Sequence, residues 1–397
     1  MTEPSAADAA WVKLDLLSHG ISLPDATRRY LASRSGVAVR KKVYNDPLWL
    51  SSFDGIPQEL RLGETVVGLN SYGTSPWALE WEEDLGSLGL THSSGAQYAI
   101  ELVPDLNLFR CNTTASRVAN LYGGAALAFF SPRTCYFFAD DTQCGFCSLA
   151  GTAAENSSFQ GLLSPSDVAN VLRSALENDP GRIEQVMIVG GNMRDLDRGF
   201  LHHVELARAA ARELFQAGLS EKISVHIATM PPRDLDALRK LSECGDIHVM
   251  FNLEVWDDRL FTTVCPGKTR DYGRNGILRA LERLRDVIGP FKAHSLLIAG
   301  LEPAESTISG IEELANLGIS AIVNVYHSDR HSRFGLTVRP SFRHLACVAQ
   351  ALQGFYSRFP LRPYWKTCGR NALDAEAQAG LFSSRIPEFL DHSAEGV

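Results

Sequence analysis

From about Val168 to Phe359 two patterns of apolar residues take turns along the chain. The runs "EQVMIVGGN" (184–192), "ISVHIATM" (223–230), "IHVMFNLEV" (247–255), "FKAHSLLIAG" (291–300) and "SAIVNVYH" (320–327) are apolar almost throughout. Such runs predict strands covered on both faces. After each comes a segment whose apolar positions recur every three or four residues: 200–219, 233–245, 276–289, 307–318 and 341–359. That period predicts amphipathic helices, the first of them stopped at Gly218. An earlier run, "GGAALAFFS" (123–131), and the helical segment 164–178 complete six βα units. Regular alternation of this kind predicts an α/β fold with a parallel sheet, and six units predict a partial (β/α)6 barrel of the TIM type. Its chemistry is expected at the C-terminal ends of the strands.

The first 120 residues do not join the alternation. Residues up to about Arg34 read as one or two helices broken at Pro24, and "ETVVGLNSYGTSPWALEWEE" and "AQYAIELVP" alternate like strands between turn residues. The expected division is an N-terminal α+β extension over 1–120, the partial barrel over 121–385 and a solvated tail over 386–397.

Composition narrows the function classes. With 397 residues, 45% of them hydrophobic, the chain can bury a large core. A net charge of −8 argues against binding a nucleic-acid backbone. No apolar run approaches the ~20 residues that span a bilayer. The N-terminus "MTEPSAADAAWVKLD" lacks the basic and apolar regions of a secretory signal. Eight cysteines are few for this length, so a cytoplasmic, reducing location is expected and a small molecule is the expected partner.

Three of those cysteines crowd into "CYFFADDTQCGFCSL": Cys135, then Cys144 and Cys147 as a C-x-x-C pair. The stretch follows the first expected barrel strand, so it falls on a loop at the catalytic end. Thiolates bind zinc and iron–sulfur clusters. Structural zinc needs four ligands, and Cys111, His202 or a distant cysteine would have to supply the fourth. Three cysteines on a four-iron cluster leave one iron open to a ligand that is not protein. Unligated buried thiols are the third reading.

At these residues the chain resembles the radical S-adenosylmethionine (SAM) superfamily, in its biotin-synthase-like branch, over about residues 120 to 375. The superfamily pattern is C-x3-C-x2-C with an aromatic residue before the last cysteine. Here that residue is Phe146 and the first gap is eight residues. "IVGGN" resembles the family's glycine-rich turn, which implies SAM contacts at Gly190, Gly191 and Asn192. Asn252 and Glu254 in "NLEV" resemble the fourth-strand motif that reaches SAM's ribose and the substrate. Arg270 in "KTRDYG" resembles the arginine that holds the SAM carboxylate, and Asn324 matches a polar residue near adenine.

The resemblance implies a [4Fe-4S] cluster on Cys135, Cys144 and Cys147. It implies S-adenosyl-L-methionine cleaved to a 5′-deoxyadenosyl radical, hydrogen abstraction from a small-molecule substrate, and an electron donor such as flavodoxin or ferredoxin. The strands that hold a second cluster in sulfur-inserting relatives have no cysteine here, which disfavours sulfur transfer. Cys265 in "TTVCPGK" is a candidate hydrogen-atom donor, with a packed loop thiol as the plainer alternative. Competing functions are a zinc-stabilised barrel hydrolase or lyase and a non-catalytic iron–sulfur scaffold.

Overall fold

The computed structural model describes residues 2–33, 39–40, 56–70, 74–82, 86–155, 161–329, 331–335 and 339–390. Its centre is a sheet of seven strands: β1 (Ala119–Tyr122), β2 (Ala126–Phe130), β3 (Gln185–Val189), β4 (Ser224–Thr229), β5 (Ile247–Phe251), β6 (Ala293–Ala299) and β7 (Ser320–Val325). They lie side by side in chain order. β1 is antiparallel to β2, and every other neighbouring pair is parallel. β2 to β7 are the six expected strands, curled into a partial barrel that β1 and β7 leave open. β1 is an addition. Gly123 and Gly124, both at positive φ, turn the chain back between it and β2. A domain boundary between residues 120 and 121 would cut through β1.

Helices α1 (Pro165–Asn178), α2 (Leu196–Gln216), α3 (Asp258–Val264), α4 (Pro266–Asp271), α5 (Arg274–Ile288), α6 (Ala304–Asn316) and α7 (Phe342–Arg358) follow the strands. Their starts are written in the sequence. Ser164 and Asp167 form a capping box ahead of α1 with Pro165 in its first turn, and Asp195 and Ser341 cap α2 and α7. The segment after β4 forms a 3-10 helix, Leu235–Cys244, where the apolar period predicted an α-helix.

Successive strand residues serve different cores. Val186 and Ile188 of β3 pack against the helices, while Met187 faces the lumen with Ala228, Met250, Leu296 and Ile322. Below this apolar layer, at the strand N-termini, lies a floor of three buried histidines. His226 stacks on His248 with ring centroids 4.5 Å apart, His248 Nδ1 is 2.9 Å from His294 Nε2, and Tyr364 sets its edge against His226 and His294. Tyr364 comes from the segment after α7. That segment also bonds the outer edge of β7: Val325 N–H donates to Asn371 O and Leu373 N–H to Val323 O. The open side of the sheet is thereby covered.

Two helices, Ala6–His19 and Asp25–Ser33, flank Pro24 as expected. The first is nearly sealed. Lys13 Nζ donates to Glu376 Oε1 and Gly369 O, both at 2.7 Å, and Trp11 packs on Phe342 and Phe382. The expected tail needs a correction: Glu388–Leu390 form a turn with Leu390 buried and Phe389 against Trp77, since two apolar side chains have a core to join. Residues 391–397 lie outside the described residues.

Candidate functional site

Beyond β2 the chain runs through Ser131–Thr134 to Cys135, which stands just ahead of the short helix Tyr136–Ala139. What seats this stretch is the glycine pair after β3. A Cβ on Gly191 would lie 2.1 Å from Thr134 O and 2.9 Å from Cys135 Cβ, and one on Gly190 would lie 2.3 Å from Ser131 O. Gly191 N–H donates to Pro132 O at 2.8 Å, and Tyr136 N–H donates to Asn192 O at 3.0 Å. Glycine is required here for close backbone approach. The resemblance assigns these amides to SAM, whereas the Gly191 amide is committed to Pro132.

The second half of the loop is clamped by the junction of α3 and α4. Gly145 N–H donates to Val264 O at 2.8 Å and Gly267 N–H to Thr142 O at 2.9 Å. A Cβ on Gly145 would strike the Phe334 ring at 2.3 Å. Cys144 is buried, while Cys135 and Cys147 are half-buried. Phe146, between Cys144 and Cys147, packs on both the helix-side and the luminal core.

The three thiols share one electrostatic environment. Burial raises the Cys135 thiol, and the charge of Cys144 raises it further. Cys147 is pushed up to about 12 by burial and then by Cys144. Cys144 moves the other way, lowered by a hydrogen bond from the Cys265 thiol and by the nearby Lys268 charge. A bound cation would draw off all three protons. Among the described residues no three His, Cys, Asp or Glu side chains converge on a single-ion site. Of the proposed fourth zinc ligands, His202 is spent on Ser131 Oγ at 2.8 Å and Cys111 is exposed.

Lys268 was not singled out in the sequence. It is buried, and its ammonium donates to Glu254 Oε1 at 2.6 Å and to Asn252 O at 2.8 Å. Burial works against its charge, but Glu254 and then Cys144 and Cys265 outweigh that, so it stays protonated. Arg270, two residues on, is 43% exposed at the rim, bound to Asp271 at 2.7 Å and Asp140 at 3.1 Å. The residue that the resemblance points to for the SAM carboxylate is thus at the rim, and Lys268 is the buried cation of the same segment. Cys265 begins the turn that opens α4, and a residue three positions later shares its side of the helix. That spacing was the available signal.

Glu254 sits on a bulge. Met250 pairs with His294 and Glu254 with Leu297, so four steps along β5 and its extension meet three along β6. Its φ is +73°, and the position is fixed by Glu254 N–H to Leu296 O at 2.8 Å and Ile298 N–H to Glu254 O at 2.7 Å. Asn252 Oδ1 accepts from Leu296 N–H at 3.3 Å. Asn324 pairs with Ile298, which faces the lumen, and its Oδ1 is buried without a partner. Thr142 Oγ1 and Gln143 Oε1, in the cysteine loop, are also buried and unpartnered. Buried polar atoms are normally bonded, so each of these three has capacity for a further hydrogen bond.

The sequence model of the Radical SAM superfamily matches residues 138–324. The chain carries a radical SAM domain. The match includes Cys144 and Cys147 and begins just after Cys135. A bacteriochlorophyllide c C-7(1)-hydroxylase from Chlorobaculum limnaeum is 28% identical over 153 residues, and that stretch spans only 38% of this chain and 38% of the hydroxylase. Among solved structures, a methylornithine synthase aligns with 64% of this chain and 69% of its own, at a TM-score of 0.45 and 14% identity. A radical SAM methyltransferase from Sphaerobacter thermophilus aligns with 75% and 81%, at 0.42 and 14%. The radical SAM domain belongs to a superfamily of enzymes. Among its described residues no helix is long and apolar enough to cross a membrane.

Proposed function

We propose that the chain holds a [4Fe-4S] cluster on Cys135, Cys144 and Cys147, binds SAM beside it, and acts as a radical SAM enzyme on a small-molecule substrate. The observation that carries this reading is the set of three cysteines on one loop at the C-terminal ends of the strands, clamped to the α3–α4 junction from which the buried Lys268 reaches Glu254. When bound, a cluster with one iron free of protein would supply the electron that splits SAM into methionine and a 5′-deoxyadenosyl radical able to take hydrogen from the substrate.

The residues divide the remaining work. Lys268 is the buried cation within Coulombic reach of the thiols, so we assign the SAM carboxylate to Lys268 instead of the rim-bound Arg270. Glu254 balances its charge and would meet the ribose, and Asn192, Asn252 and Asn324 would offer polar groups to the rest of the nucleoside. Gly190 and Gly191 act through the seat they give the Cys135 loop. Phe146 excludes water beside the cysteines. The order of these groups along successive strands is our ground for the biotin-synthase-like branch. A flavodoxin or ferredoxin is the proposed electron donor.

Anaerobic reconstitution tests the reading. The native chain should take up about four irons and release 5′-deoxyadenosine from SAM after reduction, and Cys135→Ala, Cys144→Ala and Cys147→Ala should each abolish that release. A colourless, zinc-loaded protein would point to the zinc-stabilised barrel, and a cluster that never cleaves SAM would leave a scaffold.

A further inference from the structure

The loop after the last strand reaches back onto the loop after β2. Beyond β7, Asp329 and residues 331–335 form a turn bonded to itself: Ser332 N–H and Oγ donate to Asp329 O at 3.0 and 2.8 Å, His331 N–H to Asp329 Oδ1 at 2.8 Å and Gly335 N–H to Ser332 O at 3.1 Å. From it Arg333 donates to Asp141 O at 2.8 Å and to the Asp141 carboxylate, where the backbone holds a φ of +56°. Phe334 N–H donates to Gly145 O at 2.9 Å. Past the last cysteine, a Cβ on Gly151 would lie 2.3 Å from His331 Cβ. The turn therefore touches the chain before, within and after the C-x-x-C pair.

Within the pair the fit is closest. The nearest atoms to the place of a Gly145 Cβ all belong to the Phe334 ring, at 2.3, 2.3 and 2.9 Å. Phe334 is partly buried and packs, as Cys147 does, against the core that includes Cys144. On the other side, the Gly145 N–H is taken by Val264 O. Cys265, the next residue, is fully buried in the helix-side core, which makes it the packed thiol of that junction and not a donor to the lumen. The peptide between the two cysteines is thus gripped by a helix junction and an aromatic ring, and glycine admits the ring.

We propose that Phe334 is a positioning residue: its ring, wedged on the Gly145 peptide, holds Cys144 and Cys147 at the spacing the bound cluster needs and keeps water from that turn. This rests on the cluster reading above. A turn free to open would let the thiolates leave iron, and water would take their place.

The test uses the intact chain. Native protein, Phe334→Ala, Phe334→Leu, Gly145→Ala and the Gly145→Ala/Phe334→Ala double variant are reconstituted anaerobically and assayed for iron. Iron loss to excess chelator is then followed by the visible absorbance of the cluster. Phe334→Ala should lose iron about tenfold faster than native, the low end for groups that orient metal ligands, and Phe334→Leu, which keeps much of the apolar bulk, about threefold faster. Gly145→Ala should take up little iron because its methyl strikes the ring. The double variant, in which the methyl enters the space the ring has left, should recover most of it. A general loss of stability would add across the two changes, whereas a shared contact reverses the first with the second. Where Phe334→Ala fails to fold, Phe334→Leu replaces it in both comparisons. Iron loss at the native rate from the Phe334 variants, full iron in Gly145→Ala, or a double variant no better than Gly145→Ala each overturns the proposal. A native chain that takes up no cluster overturns this inference together with the functional reading, and that result is read before any variant is examined.

Discussion

The Lys268 ammonium and the Glu254 carboxylate meet at 2.6 Å with 6% and 9% of their side chains exposed. Glu254 is itself pinned to β6 by two backbone hydrogen bonds, so the pair is a fixed charged element beside the cysteines. Removing one member leaves the other charged, buried and alone. Lys268→Met should therefore cost about 3–5 kcal/mol in urea unfolding, and adding Glu254→Gln should return most of it. An equally unstable double variant would mean the two side chains act separately.

The same variants place the SAM carboxylate. With cluster content equal, the Lys268→Met/Glu254→Gln protein should bind SAM about ten- to a hundredfold more weakly, the loss of a charge-assisted contact of ~1.5–3 kcal/mol. Arg270→Lys should bind nearly as the native chain does. The reverse order in equilibrium binding would return the carboxylate to the rim.

Gly191→Ala should empty the cluster site without touching a thiol. The new methyl would sit 2.1 Å from Thr134 O, a backbone atom, so the loop bearing Cys135 must shift. Iron content after reconstitution should drop. Gly354→Ala is the control, because nothing lies within 4 Å of its added methyl and it sits inside α7, where alanine is favoured by up to about 1 kcal/mol. Full iron in Gly191→Ala would show that the loop has slack.

The histidine floor should make the protein acid-sensitive. Burial holds His248 down to about 4 and His226 and His294 well below the ordinary histidine value of 6.5. Unfolded histidines take up protons as pH falls past about 6.5 while the folded ones do not. Stability is thus fully present above that pH and declines towards pH 4, by as much as about 1.4 kcal/mol per pH unit for each group. Asp374, raised to about 8 by burial and then by Glu376, contributes in the opposite sense, losing stability as pH rises towards 8. The comparison must be differential: between pH 7.5 and 5 the urea midpoint of His226→Phe should fall less than that of the native chain. Equal falls would remove the floor from the titration.

Lys13→Met should destabilise by about 3–5 kcal/mol, because Glu376 is left buried beside Asp374 without its cation. Iron content should be unaffected in the protein that remains folded, since Lys13 lies among the C-terminal segment and not at the cysteine loop. A loss below about 0.5 kcal/mol by thermal unfolding would mean that Gly369 O and Glu376 find other donors.

The parallel strands were legible because both their faces are covered, which writes an unbroken apolar run, and the helices because only one face is. β1 was not: four residues, "ANLY", are too short to establish a period, and only the Gly123–Gly124 turn announced a hairpin. His226, His248 and His294 were passed over because a histidine within an apolar run carries no mark of which way it faces until the strand register is known. The cysteine loop was legible by residue type. Lys268 was not, because burial there depends on a break between two short helices that turns one cation inward and leaves Arg270 outside.

Tyr364 closes the histidine floor, and Asn371 and Leu373 cover the edge of β7, yet all three follow the whole sheet in sequence. A ribosome delivers residues N-terminal first, at roughly 5–20 per second. The cysteine loop therefore emerges before the segment that lays Tyr364 on the histidine floor and bonds the edge of β7. The histidine floor is thus completed only after the cysteine loop has been made.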